Sequence, residues 1–353
     1  MTFDELYPES QINNNKDLLR KFWKGHGKTA FSGYTAENEY RQLEDYQMMA
    51  DKACQSILSG SSMAGINIPR VMCDFGTTST AEYFGGRAYQ PEGCKKWIDP
   101  IIHTIEDIKK IDIRPSDSLD IKKAYHLWND VSMKLETKNL ISTFIDVQGP
   151  LNTLSLLWDQ TDLMMAMYDY PGKVHEALDI VTGKLIDIVK TQLNLKMNTE
   201  APLWPYIWLP EDIGVAVTED YMPLLSPLQY KEFGIPYLKR FANEFNGIFI
   251  HCCGQFSQHI ENLAHSGINI IGMEFVYPNI AIDELFNAFG SSAVFVPNIM
   301  DKSIQEFGSI TAYFKHINQV RKKETRLWYI VNAWADDIKE QETFLYDICD
   351  AGK

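Results

Sequence analysis

A histidine and a cysteine lie two residues apart in segment 248–254, which reads Ile-Phe-Ile-His-Cys-Cys-Gly. Side chains alternate along an extended strand, so His251 and Cys253 are expected to share one face, with Cys252 on the opposite face. Imidazole nitrogen and thiolate sulfur are both natural zinc ligands. The spacing therefore indicates a metal site where a strand ends. The alternative is a buried histidine beside two inert thiols.

Aromatic residues are concentrated in segment 203–209, Leu-Trp-Pro-Tyr-Ile-Trp-Leu. Trp204, Tyr206 and Trp208 have the size and polarity to line an apolar substrate pocket. The same residues also suit a packed interior. The sequence leaves both interpretations open.

Short apolar runs alternate with amphipathic ones along most of the chain. The runs are rich in Ile, Val and Phe without strict polar alternation, which is typical of parallel strands buried on both faces. Predicted strands are Leu140–Val147, Gly214–Thr218, Gly247–Cys252, Ile268–Phe275, Ala293–Ile299 and Trp328–Trp334. Ser226 with Gln229, and Ser303 with Glu306, have the spacing of capping boxes that start helices. Strand, loop and capped helix in repetition predict an α/β fold with a parallel sheet.

The first third of the chain has a different pattern. We predict long helices over Tyr34–Gly60 and Ser118–Lys138, around a loop-rich stretch from Ala64 to Pro100. No linker or charge block separates a second domain. We therefore expect one domain over residues 1–353. Residues 1–100 are expected to form an N-terminal elaboration that covers the edge of the sheet where the site lies.

Composition restricts the class of partner. The formal net charge is −14, which disfavours a nucleic-acid partner and a highly anionic substrate. Six cysteines in 353 residues do not indicate a disulfide framework. No signal peptide or membrane-spanning apolar run is recognisable, so a cytoplasmic location is expected. A small-molecule substrate is the expected partner, and a homodimer is the oligomeric state considered.

Several motifs resemble the uroporphyrinogen-decarboxylase-like superfamily, and most closely its cobalamin-dependent (corrinoid) methyltransferases. His-x-Cys-Gly at a strand end, followed by Phe-Ser-Gln-His-Ile-Glu-Asn-Leu, is similar to their zinc-binding motif. Segments 68–76, 146–152, 168–174 and 219–227 resemble other superfamily segments in the same order. The resemblance covers residues from about Gly60 to the C-terminus. It implies a (β/α)8 TIM barrel with its chemistry at the loops after the strands.

The resemblance also implies site residues. The methyltransferases have a third zinc ligand, a cysteine, after the last strand, but residues 331–337 contain none. A catalytic zinc needs about three protein ligands. We expect Glu274 to complete the set with His251 and Cys253, and Asp336 is the second choice. Asp74 resembles the aspartate that holds the pyrrole nitrogens in the decarboxylases.

Glu219 and Asp220 are neighbours, so only one of them can face the mouth of an extended segment. Asp220 matches a polar position of the superfamily and is preferred. Asp74 or Asp220 is expected to orient the substrate. For all three acidic residues, a helix cap, a salt bridge or simple solvation is the alternative.

The resemblance implies zinc-assisted methyl transfer between a small methylated substrate or a thiol and a corrinoid carried by a separate protein. The first alternative is uroporphyrinogen decarboxylation, a carboxy-lyase reaction. The decarboxylases bind their polycarboxylate substrate with an N-terminal arginine-rich motif. The corresponding region here, residues 27–40, contains no arginine. The second alternative is a catalytically silent barrel that acts as a sensor or scaffold.

Overall fold

The computed structural model describes residues 1–34, 46–90, 96–112 and 119–352. Parallel strands form the framework of the molecule. The strands are β1 Thr29–Tyr34, β2 Arg70–Val71, β3 Arg87–Tyr89, β4 Trp97–Asp99, β5 Ile141–Thr143, β6 Thr199–Ala201, β7 Val215–Thr218, β8 Ile248–His251, β9 Ile270–Val276, β10 Val294–Asn298 and β11 Arg326–Asn332.

Helices follow most of these strands. They are α1 Phe3–Leu6, α2 Glu9–Trp23, α3 Tyr46–Gly60, α4 Ser79–Tyr83, α5 Leu119–Lys134, α6 Pro150–Leu157, α7 Gln160–Asp169, α8 Pro171–Asn194, α9 Pro227–Gln229, α10 Ile235–Ala242, α11 Ile260–Ala264, α12 Ile282–Phe289, α13 Asp301–Phe307, α14 Ile310–Val320 and α15 Ile338–Ile348. Short 3₁₀ segments cover Ile105–Asp112, Met222–Leu224 and Ser257–His259, and a π-helical turn covers Tyr230–Gly234.

Two parallel sheets are arranged side by side. The larger has the order β1-β11-β10-β9-β8-β7, and the smaller has the order β2-β5-β6. A bridge between Gln148 and Thr218 connects the segment after β5, the central strand of the smaller sheet, with β7 of the larger sheet. At the other edge, the Ile66 amide donates to the Phe31 carbonyl at 2.9 Å. The predicted α/β fold with parallel sheets is confirmed, whereas continuous strand pairing around a closed barrel is not seen in the described residues.

The interior between the sheets is filled by apolar side chains. The segment after β6 contributes Ile207, Trp208 and Leu209 to a buried cluster that includes Ala30, Ile141, Phe249, Val294 and Trp328. Nε1 of Trp208 donates to Glu200 Oε2 at 2.8 Å, so the polar atom of this buried ring is satisfied. Trp208 is thus a core residue and not a pocket wall.

The predicted strands after residue 140 all appear, with ends shifted by a few residues, and β5 is shorter than predicted. The prediction of a helix from Tyr34 is wrong at its start, because Tyr34 is the last residue of β1 and α3 begins at Tyr46. Residues 35–45 of that helix lie outside the described residues. The N-terminal elaboration over residues 1–100 is not confirmed, since β1 and β2 belong to the two parallel sheets.

One of the two predicted capping boxes forms. Ser226 accepts from the Gln229 amide at 3.2 Å, and the Gln229 side chain accepts from the Ser226 amide at 3.1 Å. The Ser303 prediction is wrong, because α13 already begins at Asp301. The Ser303 hydroxyl donates instead to the Tyr277 carbonyl at 2.8 Å, which ties α13 to the end of β9. Within the described ranges, no helix has the length and apolarity needed to cross a membrane.

Candidate metal centre

His251 is the last residue of β8, at the edge where the parallel strands end. It pairs in register with Thr218 at the end of β7. The amide of Glu219 donates to the His251 carbonyl at 2.9 Å, which extends the strand pairing by one residue. The carboxyl ends of β7 and β8 therefore hold segments 219–220 and 252–253 side by side.

Asp220, His251 and Cys253 form a compact group of potential metal ligands. One ligand atom from each residue lies within 4.8 Å of the others. Sγ of Cys253 is 3.3 Å from Asp220 Oδ1, and Nε2 of His251 is 3.9 Å from Asp220 Oδ2. The Cys253 amide also donates to Asp220 Oδ1 at 3.0 Å and fixes the carboxylate beside the thiol.

These separations suit a tetrahedral zinc site. Zinc bonds of about 2.0 to 2.3 Å place neighbouring ligands of a tetrahedron roughly 3.3 to 3.8 Å apart. The separations of 3.3 Å to Asp220 Oδ1 and 3.9 Å to Asp220 Oδ2 are close to that range. A nitrogen, a sulfur and a carboxylate oxygen are also a suitable donor set, and three protein ligands leave one position open for substrate. The residues present therefore fit a zinc ion.

Glu274 lies on the other side of the imidazole ring. It is a buried residue of β9, and its Oε2 atom is hydrogen-bonded to Nδ1 of His251. Burial opposes a charge on His251, but Glu274, Cys253 and Asp220 outweigh it and hold the pKa of the ring well above its usual value. Glu274 thus contacts Nδ1, whereas Nε2 is the ring nitrogen found 3.9 Å from Asp220.

The two adjacent cysteines have different environments. Cys252 is 1% exposed and belongs to the apolar core, where burial raises the pKa of its thiol well above the usual value. Cys253 is partly exposed and lies beside Asp220. The placement follows the alternation of side chains that the sequence predicts for this segment.

Glu219 and Asp220 are separated in the same way. Glu219 is 2% exposed, and its Oε2 accepts from the Tyr230 hydroxyl at 3.1 Å behind the strand. Burial raises the pKa of Glu219 to about 8. Asp220 is turned toward His251 and Cys253. The structure thus places Asp220, and not Glu219, beside His251 and Cys253.

Asp146 is a buried acidic residue close to this group, and its role was not predicted from the sequence. It is buried just beyond β5, and its Oδ1 accepts from the Thr218 hydroxyl at 3.1 Å. Burial raises the pKa of Asp146 to about 7, and the nearby charge of Asp74 adds to the shift. Asp74 is partly buried, and its Oδ1 accepts from the Gly76 amide at 2.9 Å. The position of Asp146 directly after an apolar strand run was the available signal.

Aromatic rings complete the surroundings. The ring centroid of Trp204 is 6.0 Å from that of His251, and Tyr206 packs against Trp204 at 5.0 Å. Trp204 and Asp146 also line a small cavity, in which the centre of a water-sized sphere has about 10 Å³ of space. Asp336, the second choice for a third metal ligand, is exposed and lies outside the group formed by Asp220, His251 and Cys253.

Comparison with known proteins agrees with this architecture. The model of the family "Uroporphyrinogen decarboxylase (URO-D)" matches residues 28–200 and 214–332. The solved structure of a methyltransferase from Methanosarcina mazei superposes with a TM-score of 0.63 at 14% identity, covering 94% of this chain and 98% of that one. At this identity the similarity concerns the fold. No curated protein matches the chain in sequence.

Proposed function

Because this chain belongs to the uroporphyrinogen decarboxylase family, we propose that its strand-end site is a zinc centre for methyl transfer. The observation that carries the proposal is the convergence of Asp220, His251 and Cys253 at the end of β7 and β8. The structural similarity to a methyltransferase supports it. The substrate would be a small methylated compound or a thiol, and the methyl group would pass to or from a corrinoid on a separate protein.

His251 Nε2, Cys253 Sγ and a carboxylate oxygen of Asp220 would hold the metal. When bound, zinc would supply Lewis acidity that activates a thiol or polarises the leaving heteroatom of a methylated substrate. In this arrangement Asp220 takes the position for which the sequence suggested Glu274. We propose that Glu274 instead holds the Nδ1 proton of His251 and so aims Nε2 at the metal, as carboxylates commonly do beside zinc-bound histidines.

The remaining polar groups of the mouth would orient the substrate. Burial and the nearby charge of Asp74 raise the pKa of Asp146, which lets Asp146 carry a proton near neutral pH. A protonated Asp146 can donate a hydrogen bond, while Asp74 can accept one. Trp204 stands beside His251 and offers an apolar wall on the substrate side.

Decarboxylation of a tetrapyrrole is the second candidate, and the family match together with Asp74 favours it. A substrate with many carboxylates needs several converging basic groups, because single exposed ion pairs contribute only about 0.2 to 1 kcal/mol. The described residues around His251 are mainly acidic, with Asp220, Glu274 and Asp146 close by. The site therefore suits metal binding better than polyanion binding.

Elemental analysis combined with a corrinoid assay tests the proposal. We expect nearly one zinc per chain in protein purified without chelators. We also expect the absorption spectrum of a reduced corrinoid protein, or of free cob(I)alamin at lower efficiency, to change with a suitable donor from a panel of methyl ethers, amines and thiols. Absence of zinc after reconstitution would reject the metal centre. Retained zinc with no spectral change across the panel would favour a silent barrel.

A further inference from the structure

A second cavity opens where β1 and β2 lie next to each other without continuous strand pairing. The space inside it that can hold the centre of a water-sized sphere is about 70 Å³, and the cavity is partly open to solvent. Its walls come from β1, from α3 and from the segment that leads into β2. Ile57, Met63, Asn67, Arg70, Met72 and Tyr206 are among the residues that line it.

Arg70 is the single charged residue among the described residues that line this cavity. Its Nη1 donates to the Ile207 carbonyl at 2.9 Å, and no described acidic residue pairs with it. Burial lowers the pKa of Arg70 to about 10, so the guanidinium is still charged at neutral pH. Arg20 and Arg240, by contrast, have carboxylate partners in Asp212 and Asp179.

An unpaired charge inside a protein is costly unless something compensates it. A guanidinium has five N–H donors in a planar fork that matches an oxyanion. The bond to Ile207 occupies one of them. Asn67 is committed to the backbone, since its Oδ1 accepts from Gly33 at 2.7 Å and its Nδ2 donates to Met63 at 2.8 Å. The cavity thus offers one strong anion anchor within mainly apolar and aromatic walls.

We propose that this cavity binds a small organic anion, with the oxyanion group on Arg70 and the apolar body against Ile57, Met63 and Met72. Pockets of this kind, apolar with one well-placed charged group, are typical of small-molecule sites. Tyr206 is shared with the surroundings of the metal centre, because it packs on Trp204, which contacts the His251 ring. The inference does not depend on zinc or on methyl transfer.

Calorimetric titration of the full chain with benzoate, phenylphosphonate and the neutral benzamide tests the proposal. We expect saturable binding of at least one of the two anions and none of benzamide. Benzoate and phenylphosphonate distinguish a carboxylate ligand from a phosphonate-like one. Arg70→Gln should weaken the binding by about tenfold or more, as is usual when a hydrogen bond to a charged group is lost. Arg240→Gln, which changes an exposed arginine, should leave the binding unchanged.

Chemical labelling gives a measurement that needs no variant. Phenylglyoxal modifies arginines, and peptide mapping reports each position separately. We expect the bound anion to protect Arg70 and to leave the labelling of Arg240 unchanged. If neither anion binds, if benzamide binds as well as benzoate, or if Arg70 is labelled equally with and without the anion, the proposal is rejected. Equal binding by folded Arg70→Gln would also reject it.

Discussion

Two covalently adjacent cysteines have opposite environments in this protein, and this allows the metal site to be tested with a matched pair of variants. Cys253→Ser should lower the zinc content markedly, because a hydroxyl is a much poorer zinc ligand than a thiolate. Cys252→Ala should keep its zinc and cost only a modest amount of stability, as expected for trimming a small buried side chain. Zinc per chain by elemental analysis and urea unfolding measure the two effects.

Three outcomes of the cysteine variants would contradict this prediction, each in a different way. Equal loss of zinc in both cysteine variants would mean that the backbone is not extended through residue 253. Loss only in Cys252→Ala would show that the side-chain alternation is shifted by one residue. Zinc retained in both variants would remove the metal centre as described.

The roles of Asp220 and Glu274 can be separated by a second pair of variants. Asp220→Asn should abolish stable metal binding if Asp220 is the third ligand. Glu274→Gln should weaken zinc affinity by about 10- to 100-fold, the usual effect of changing the partner of a metal-bound histidine. Absorption spectra of the cobalt-substituted proteins should show unchanged coordination in Glu274→Gln. If Glu274→Gln changes the coordination and Asp220→Asn does not, Glu274 is the ligand, as the sequence first suggested.

The raised pKa of Asp146 predicts that the free energy of unfolding depends on pH. Its pKa of about 7 is above that of an unfolded aspartate, so the folded protein binds the proton more tightly. This contribution to the free energy of unfolding is constant below about pH 4, falls as the pH rises toward 7, and then levels off. Asp146→Asn keeps an acceptor for the Thr218 hydroxyl but cannot ionise. The stability of the variant relative to the wild type should therefore rise between pH 5 and pH 8 by at most about 2.7 kcal/mol, because only about two pH units of the shift lie in this interval.

Urea unfolding of both proteins at pH 5 and pH 8, in the presence of a chelator, measures the difference. Titrations of other groups cancel in the comparison between the wild type and the variant. A difference that is the same at both pH values would show that Asp146 titrates in its ordinary range. A gain at pH 5 that disappears at pH 8 would contradict the sign of the shift.

At the scale of elements, close packing between β8, β9 and β10 should fix the direction of Glu274. Gly272 lies in β9, and an added Cβ would be 2.5 Å from both the Phe249 ring and the Val294 carbonyl. Because one of these neighbours is backbone, Gly272→Ala should cost about 1 to 3 kcal/mol of unfolding free energy. Gly172 near the start of α8 is the matched control, since an added Cβ there meets nothing within 4 Å. Gly172→Ala should be neutral or slightly stabilising. Equal effects in the two variants would contradict the packing argument.

The strands that carry the site could be predicted because buried parallel strands leave a strong local signal. Runs of Ile, Val and Phe ended by a polar residue located β7, β8, β9 and β11, and the alternation of side chains separated Cys252 from Cys253. The first third could not be predicted in the same way. Tyr34 was assigned to a helix, but β1 is held by pairing with β11, a contact between residues almost 300 positions apart.

The site itself was predictable only in part. His251, Cys253 and Asp220 were identified from local spacing and resemblance, and the structure brings them together. Which atom of His251 faces Glu274 depends on the relative positions of β8 and β9, and no local pattern specifies it. Asp146 and Arg70 were not selected because their importance comes from burial and from neighbours on other strands. Ser303 shows the opposite failure. Its spacing to Glu306 predicted a helix cap, but its hydroxyl forms a hydrogen bond with the Tyr277 carbonyl instead.

At the scale of the whole molecule, the charge distribution predicts how the chain responds to a polycarboxylate ligand. The net charge of −14 repels a polycarboxylate, and the described arginines that could attract one are dispersed or engaged with acidic partners. The exception is Arg70, whose cavity is limited to a small ligand. Uroporphyrin, a stable analogue of the decarboxylase substrate, should therefore associate only weakly. Its binding should weaken further as salt is raised, because exposed charges are screened within about 10 Å at 0.1 M ionic strength. Quenching of porphyrin fluorescence at low and high salt measures this, with Arg70→Gln as a check that the cavity contributes nothing. Tight, saturable binding that resists salt would reverse the ranking and make decarboxylation the better candidate.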